Sequence, residues 1–206
     1  MNEEWKTIEH ALNYLGRADI IPHRTEGESV LLEEIPPETK RILDIGAGDG
    51  RLLKLVLLRC PEAHGIALDY SPVMLNKLRE QFTDNKRVDI IDHDINIPLP
   101  SMPKKFDAVV SSFAIHHLPH ERKFELYSEI FNVLEPSGIF CNLEHVSSTT
   151  ENLHKKFFEL IGMEEDKSNI LLDVETQLKW LREIGFDDVD CYWKWREFTL
   201  LIGFKR

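Results

Sequence analysis

The sequence predicts an α/β fold, a Rossmann-like seven-stranded sheet that is mostly parallel and ends in a C-terminal antiparallel hairpin. Three observations carry that prediction. Short β-rich apolar runs alternate with amphipathic helical stretches through most of the 206 residues, the rhythm of strands and crossover helices around a parallel sheet. The first run leads into a glycine turn and then a helix, as at the mouth of open α/β sheets. The last two runs are joined too tightly for a crossover and must pair antiparallel.

The elements follow in order. Residues 1–38 form an N-terminal extension that looks helical at first and then irregular through Ile21-Pro22-His23-Arg24. The first strand is Arg41–Ile45, and the helix Arg51–Arg59 after it is apolar nearly all round, which suits burial against a sheet. The second strand, 65–69, precedes a helix with Ser71 as N-cap, Pro72 at the first helical position, and Met74, Leu75, Leu78 and Phe82 on one face. Strands three and four are Val88–Asp92 and Phe106–Ser112. Residues 122–134 place Phe124, Tyr127, Phe131 and Leu134 at helical spacing, and Pro136-Ser137-Gly138 stops that helix before strand five, 139–145. An extra helix at 147–162 carries Leu153, Phe157, Leu160 and Ile161, and the insertion 147–172 is expected to form a lid. A helix at Val174–Ile184 ends at Gly185, before the hairpin of 189–195 and Phe198–Phe204. Trp193 and Trp195 share one face of the penultimate strand and are expected in the core. No repeat or linker divides the chain, so one domain over 1–206 is expected.

Composition narrows the function. With 25 basic against 36 acidic residues the net charge is −11, which opposes binding to nucleic-acid phosphates. Cys60, Cys141 and Cys191 are far apart and follow no CxxC spacing, so neither a zinc knuckle nor a disulfide framework is encoded. No HExxH spacing points to a metal. No apolar run approaches the about 20 residues needed to span a bilayer, and the expected location is cytoplasmic.

The chemistry lies in Asp44-Ile-Gly46-Ala-Gly48-Asp-Gly50-Arg51. Glycines serve where the backbone turns with positive φ and a ligand must approach closely. A dinucleotide fingerprint would need glycine at position 51, where Arg51 stands, and no GxxxxGK[ST] phosphate loop is present. Asp69 ends strand two, 19 positions beyond Gly50, where a carboxylate can accept both hydroxyls of a ribose. Together these describe a site for an adenosine-bearing ligand without a pyrophosphate.

On these residues the chain resembles the class I S-adenosylmethionine-dependent methyltransferases of the small-molecule type, over roughly residues 40–145. The resemblance implies S-adenosyl-L-methionine as cofactor and a small-molecule methyl acceptor. It implies that Asp44, Gly46, Gly48 and Gly50 contact the methionine part, that Asp69 binds the ribose, and that Tyr70 lies beside the adenine. Asp94 would take the adenine amino group, the Ile95 amide would reach the ring, and Ser112 at the end of strand four would lead into a floor formed by Phe113 to His117. The tail from Val174 through Trp195 also resembles the carboxy-S-adenosylmethionine synthases, and a non-catalytic binding module is a further alternative. Arg24 is a candidate to hold a carboxylate bidentately, from the cofactor or from an acidic substrate. His116, His117 and His120 follow strand four and His145 ends strand five beside Glu144. His117 and His145, with His116 in reserve, are the candidate general bases, since imidazole titrates near neutrality.

Overall fold

The computed structural model describes residues 21–206. Its elements are α1 (Arg24–Glu34), β1 (Arg41–Ile45), α2 (Arg51–Arg59), β2 (His64–Asp69), α3 (Pro72–Gln81), β3 (Val88–Asp92), β4 (Phe106–Ser112), a 3-10 turn (Ile115–His117), α4 (His120–Val133), β5 (Leu134–His145), α5 (Glu151–Ile161), α6 (Val174–Ile184), β6 (Asp187–Trp195) and β7 (Phe198–Phe204). The strands make one sheet in the order β3-β2-β1-β4-β5-β7-β6. Pairing is parallel from β3 to β5 and antiparallel where β7 meets β5 and β6. Strand order reverses between β1 and β4, the switch point at which open α/β sheets form a crevice beyond the carboxyl ends of their strands.

The central strands are apolar on both faces because helices cover both. One layer packs Leu31 of α1, Leu53 and Val56 of α2 and Leu78 of α3 against the sheet. The other packs Leu126, Tyr127 and Ile130 of α4 and Leu178 and Leu181 of α6. Burying each such aliphatic side chain stabilises the fold by about 1.5–3 kcal/mol.

Several boundaries differ from those read in the sequence. Arg24 does not lie in irregular chain but opens α1, and the stretch expected to be irregular is cut to the turn around His23. No apolar stripe announces this helix, because tertiary contacts hold it instead. Arg24 Nε bonds Glu28 Oε1 at 2.9 Å, and the same carboxylate takes Arg51 Nε at 2.8 Å and a second Arg51 nitrogen at 2.9 Å. Gly27 permits the close fit, since a Cβ there would sit 2.7 Å from Leu143. The helical expectation for the first residues lies outside the described residues. Strand β5 begins at Leu134, earlier than 139, with an irregularity that carries Glu135 to Gly138 as extra residues opposite β4. Ser71 holds the N-cap position of α3, but its hydroxyl makes no capping bond. The extra helix is shorter than expected, running from the Thr150 cap to Gly162. Among the described residues no helix is long and apolar enough to cross a membrane.

Candidate active site

A cleft enclosing about 630 Å³ opens at the switch point. Gly46 and Gly48 reach it from the loop after β1, Asp69, Tyr70 and Ser71 from β2, His93, Ile95 and Asn96 from β3, and Ser112, Phe113 and His117 from β4. Gly46 has φ +66°, and a Cβ there would meet Ala114 Cβ at 2.3 Å, so the β1 loop rests directly on the chain leaving β4. Gly48 has φ +58°, but a Cβ there would meet nothing within 4 Å. The first glycine is therefore required by packing, while the second faces open space in the cleft wall.

Asp69 is held by the backbone around it. Oδ2 accepts the Gly48 amide at 2.9 Å and Oδ1 accepts the Ser71 amide at 2.8 Å. Burial pushes its carboxyl up to about 6, and those two amides restrain the rise. At neutral pH it is a carboxylate at the rim of the cleft, able to accept hydroxyl donors.

Other predicted residues stand behind the wall. Asp44 is buried at the end of β1 and neither carboxylate oxygen closes a hydrogen bond. Burial pushes it up to about 8, offset mainly by the Leu53 amide at the start of α2. Gly50 packs on Phe82 and Leu78 at the N-cap of α2. Asp94 lies in an adjoining depression with Tyr70 and His93, its Oδ1 accepting from the Asn96 amide at 2.9 Å and the Asn96 side chain at 2.7 Å. Arg24 places its guanidinium carbon 5.6 Å from the centre of the Phe113 ring, at the cleft floor. Phe113 itself holds φ +52°, a left-handed strain of the kind stored at functional sites.

The three candidate bases separate into one at the cleft and two behind it. His117 lines the cleft, with Nδ1 2.9 Å from Ser168 Oγ. His116 is buried beneath it, ring centres 3.9 Å apart, with Nδ1 2.5 Å from Glu144 Oε1. Burial, above all, holds both imidazoles well below their usual range. The same burial raises Glu144 to about 7. His145 is buried to a similar degree, Nε2 2.9 Å from Glu197 Oε2, and that carboxylate also takes Ser148 and His154. His120 points its Nε2 to the Leu171 carbonyl at 3.3 Å. Among the described residues no cluster of His, Cys, Asp or Glu could hold a metal ion.

A family model described as a methyltransferase domain matches residues 42–138, from β1 to the turn inside β5. The matched stretch is a methyltransferase domain of the class I S-adenosylmethionine-dependent kind. It is 25% identical over 145 residues to the ornithine lipid N-methyltransferase of Singulisphaera acidiphila, covering 68% of this chain and 76% of that protein. It is 20% identical over 193 residues to the carboxy-S-adenosyl-L-methionine synthase of Nautilia profundicola, covering 85% and 81%. Its fold resembles an O-methyltransferase family protein from Burkholderia thailandensis, with a TM-score of 0.77 at 17% identity over 98% of this chain and 61% of that one. This methyltransferase thus spans about three fifths of that solved chain.

The cleft of this methyltransferase fits a polar ligand. Ser71 Oγ, Ser112 Oγ and His93 Nε2 line it, are buried, and close no hydrogen bond. Such orphaned groups cost free energy unless a ligand or solvent satisfies them. Of these, Ser71 and His93 carry no ligand motif in the sequence, although they stand two residues and one residue beyond the ends of β2 and β3 on the crevice side. Ser168 and Glu197 escape the sequence reading for another reason: each lies far along the chain from the histidine it contacts, and no local pattern links them.

Asp44 provides a stability test. Its folded-state value of about 8 lies above the ordinary 3.8. Between those limits the unfolded chain gives up the proton that the folded chain keeps, so stability falls as pH rises through this window. Asp44→Asn is therefore expected to raise the melting temperature of the ligand-free protein, by most at pH 8 and above and by least near pH 4. Differential scanning calorimetry at both ends checks this, and an equal shift at both would exclude the carboxyl as its origin.

Proposed function

We propose that this chain transfers the methyl group of S-adenosyl-L-methionine to a small-molecule acceptor bound beside the cleft. The observation that carries the reading is the Asp69 carboxylate, fixed on the Gly48 and Ser71 amides at a switch-point cleft whose Ser71, Ser112 and His93 atoms await partners. When bound, the cofactor supplies a methyl group on an already activated sulfonium. Asp69 accepts the ribose hydroxyls, Gly48 leaves room for the methionine part beside the Gly46 backbone, and Tyr70 and Ile95 flank the adenine. Asp94 and Ser112 complete the adenosine side, while Asp44, Gly50 and Arg24 support the glycine loop and floor from behind. Alignment and exclusion of water supply most of the acceleration, about 7–11 kcal/mol for well-oriented partners.

His117 is the group placed to take a proton where the acceptor must lose one, because it lines the cleft and is neutral near pH 7. His116 and His145, each set against a buried glutamate, brace it from behind. Within the segment 147–172, α5 serves as the lid, since among its side chains only Phe157 is fully buried and its displacement costs little apolar contact, while the following residues stay tied to the loop after β4. The net charge of −11 favours a small acceptor over nucleic acid.

A second reading, a different reaction of the same cofactor, draws on the match to the carboxy-S-adenosyl-L-methionine synthase, which extends over 85% of this chain. Incubating the purified protein and S-adenosylmethionine with metabolite pools, followed by mass spectrometry, separates the readings. S-adenosylhomocysteine with a methylated metabolite is the expected result. A new sulfonium would favour the second reading, and no turnover despite cofactor binding would identify a binding module.

A further inference from the structure

Residues 163–173 form a strap across the loop that bears His117. The Ile170 amide donates to the His116 carbonyl at 3.0 Å, and the Ser147 amide and Gln177 Nε2 both donate to the Leu172 carbonyl, at 3.2 and 2.9 Å. Lys123, almost wholly buried, pins strap and loop together: Nζ donates to the Ile170 carbonyl at 2.7 Å, to the His116 carbonyl at 3.2 Å and to the Leu118 carbonyl. The strap delivers two oxygens of buried Ser168 to the same edge of one imidazole. His117 Nδ1 lies 2.9 Å from the Ser168 hydroxyl and 3.3 Å from the Ser168 carbonyl.

A hydroxyl can donate or accept, but a carbonyl only accepts. A bare Nδ1 would set its lone pair against the carbonyl, whereas an Nδ1–H can be shared between both oxygens. The partner of one ring nitrogen decides which nitrogen carries the proton. We propose that Ser168 is a positioning residue that holds neutral His117 as the Nδ1–H tautomer, so that the basic Nε2 is the nitrogen presented to the cleft. This rests on the reading of His117 as the proton acceptor and deepens it. A base that must turn its ring or exchange its proton before each turnover would be slower, and the strap removes that step. The Asp166 carboxylate, which accepts the Ser168 amide at 2.9 Å, fixes Ser168 in turn and favours a proton on His117. The His116 ring, tilted against His117 with centres 3.9 Å apart, opposes a second proton there.

The test is the nitrogen NMR spectrum of the full chain labelled with ¹⁵N-histidine at pH 8, with S-adenosylhomocysteine added, and His117 assigned by the signals lost in His117→Gln. The expected wild-type spectrum has a pyrrole-like Nδ1 and a pyridine-like Nε2 at His117. Ser168→Ala, which keeps the carbonyl acceptor, should retain that pattern, whereas Asp166→Ala, which releases the Ser168 amide and so loosens the segment carrying the carbonyl, should admit a measurable fraction of the other tautomer. An Nε2–H signal in the wild type, a switch to Nε2–H in Ser168→Ala, or an unchanged His117 in Asp166→Ala would overturn the proposal. If Asp166→Ala does not fold, the wild-type and Ser168→Ala spectra decide. Calorimetric titration with S-adenosylhomocysteine is a separate readout, so failure of the cofactor reading appears there and not in the tautomer.

Discussion

Gly48→Val is expected to leave the chain folded and to abolish S-adenosylmethionine binding. Its Cβ would enter the cleft without touching protein within 4 Å, so the folded state loses only the backbone term for a side chain at φ +58°, on the order of 1–2 kcal/mol. The cofactor loses the volume itself. Calorimetry should show no heat with S-adenosylmethionine, while circular dichroism matches the wild type. Normal binding would mean that the loop serves only as a turn. Gly46 gives the contrast: its substitution drives a methyl group into Ala114 and should lower the melting temperature sharply.

Asp69→Ala is expected to weaken S-adenosylmethionine binding by about tenfold to several hundredfold, since a hydrogen bond to a charged group contributes roughly 1.5–3 kcal/mol. The loss has a second origin, because the Gly48 and Ser71 amides lose the acceptor that shapes the loop. In the wild type the value of about 6 lies above the ordinary 3.8, so as pH falls through 6 the carboxylate becomes protonated and gives up acceptor strength. Affinity should therefore decline below pH 6, and Asp69→Ala should remove that decline. Unchanged affinity in the variant would take Asp69 out of the site.

The sheet was legible because each strand of its centre is a short apolar run ended by Gly, Pro, Asn or Asp, and β1, β3, β4 and β7 begin and end where the pattern places them. Helix α1 was not, because Thr25 to Ser29 carry no apolar stripe and the helix is secured by Glu28 pairing across the chain with Arg51. At the site, Gly46 and Gly48 announced themselves by following a strand, and Asp69 and Ser112 by ending one. The sequence puts His117 and His145 ahead of His116, and packing redraws that order: burial against Glu144 and Glu197 withdraws His116 and His145 from the cleft, while the strap holds His117 at it. Contacts spanning 51 and 52 positions, such as those of Ser168 and Glu197 with these rings, have no sequence signature.

The Glu28 carboxylate has a bearing on modularity. It grips Arg51, the first residue of the helix that follows the glycine loop, from a helix that precedes the family-matched stretch 42–138. Removing one partner of a buried pair costs about 3–5 kcal/mol. The glycine loop is consequently not a portable part. Grafted or excised with its motif alone, it would keep the residues that resemble a cofactor site and lose the external brace that sets their stiffness, so related sequences with the same motif but a different leading helix can differ in cofactor affinity without differing at any residue that touches the ligand.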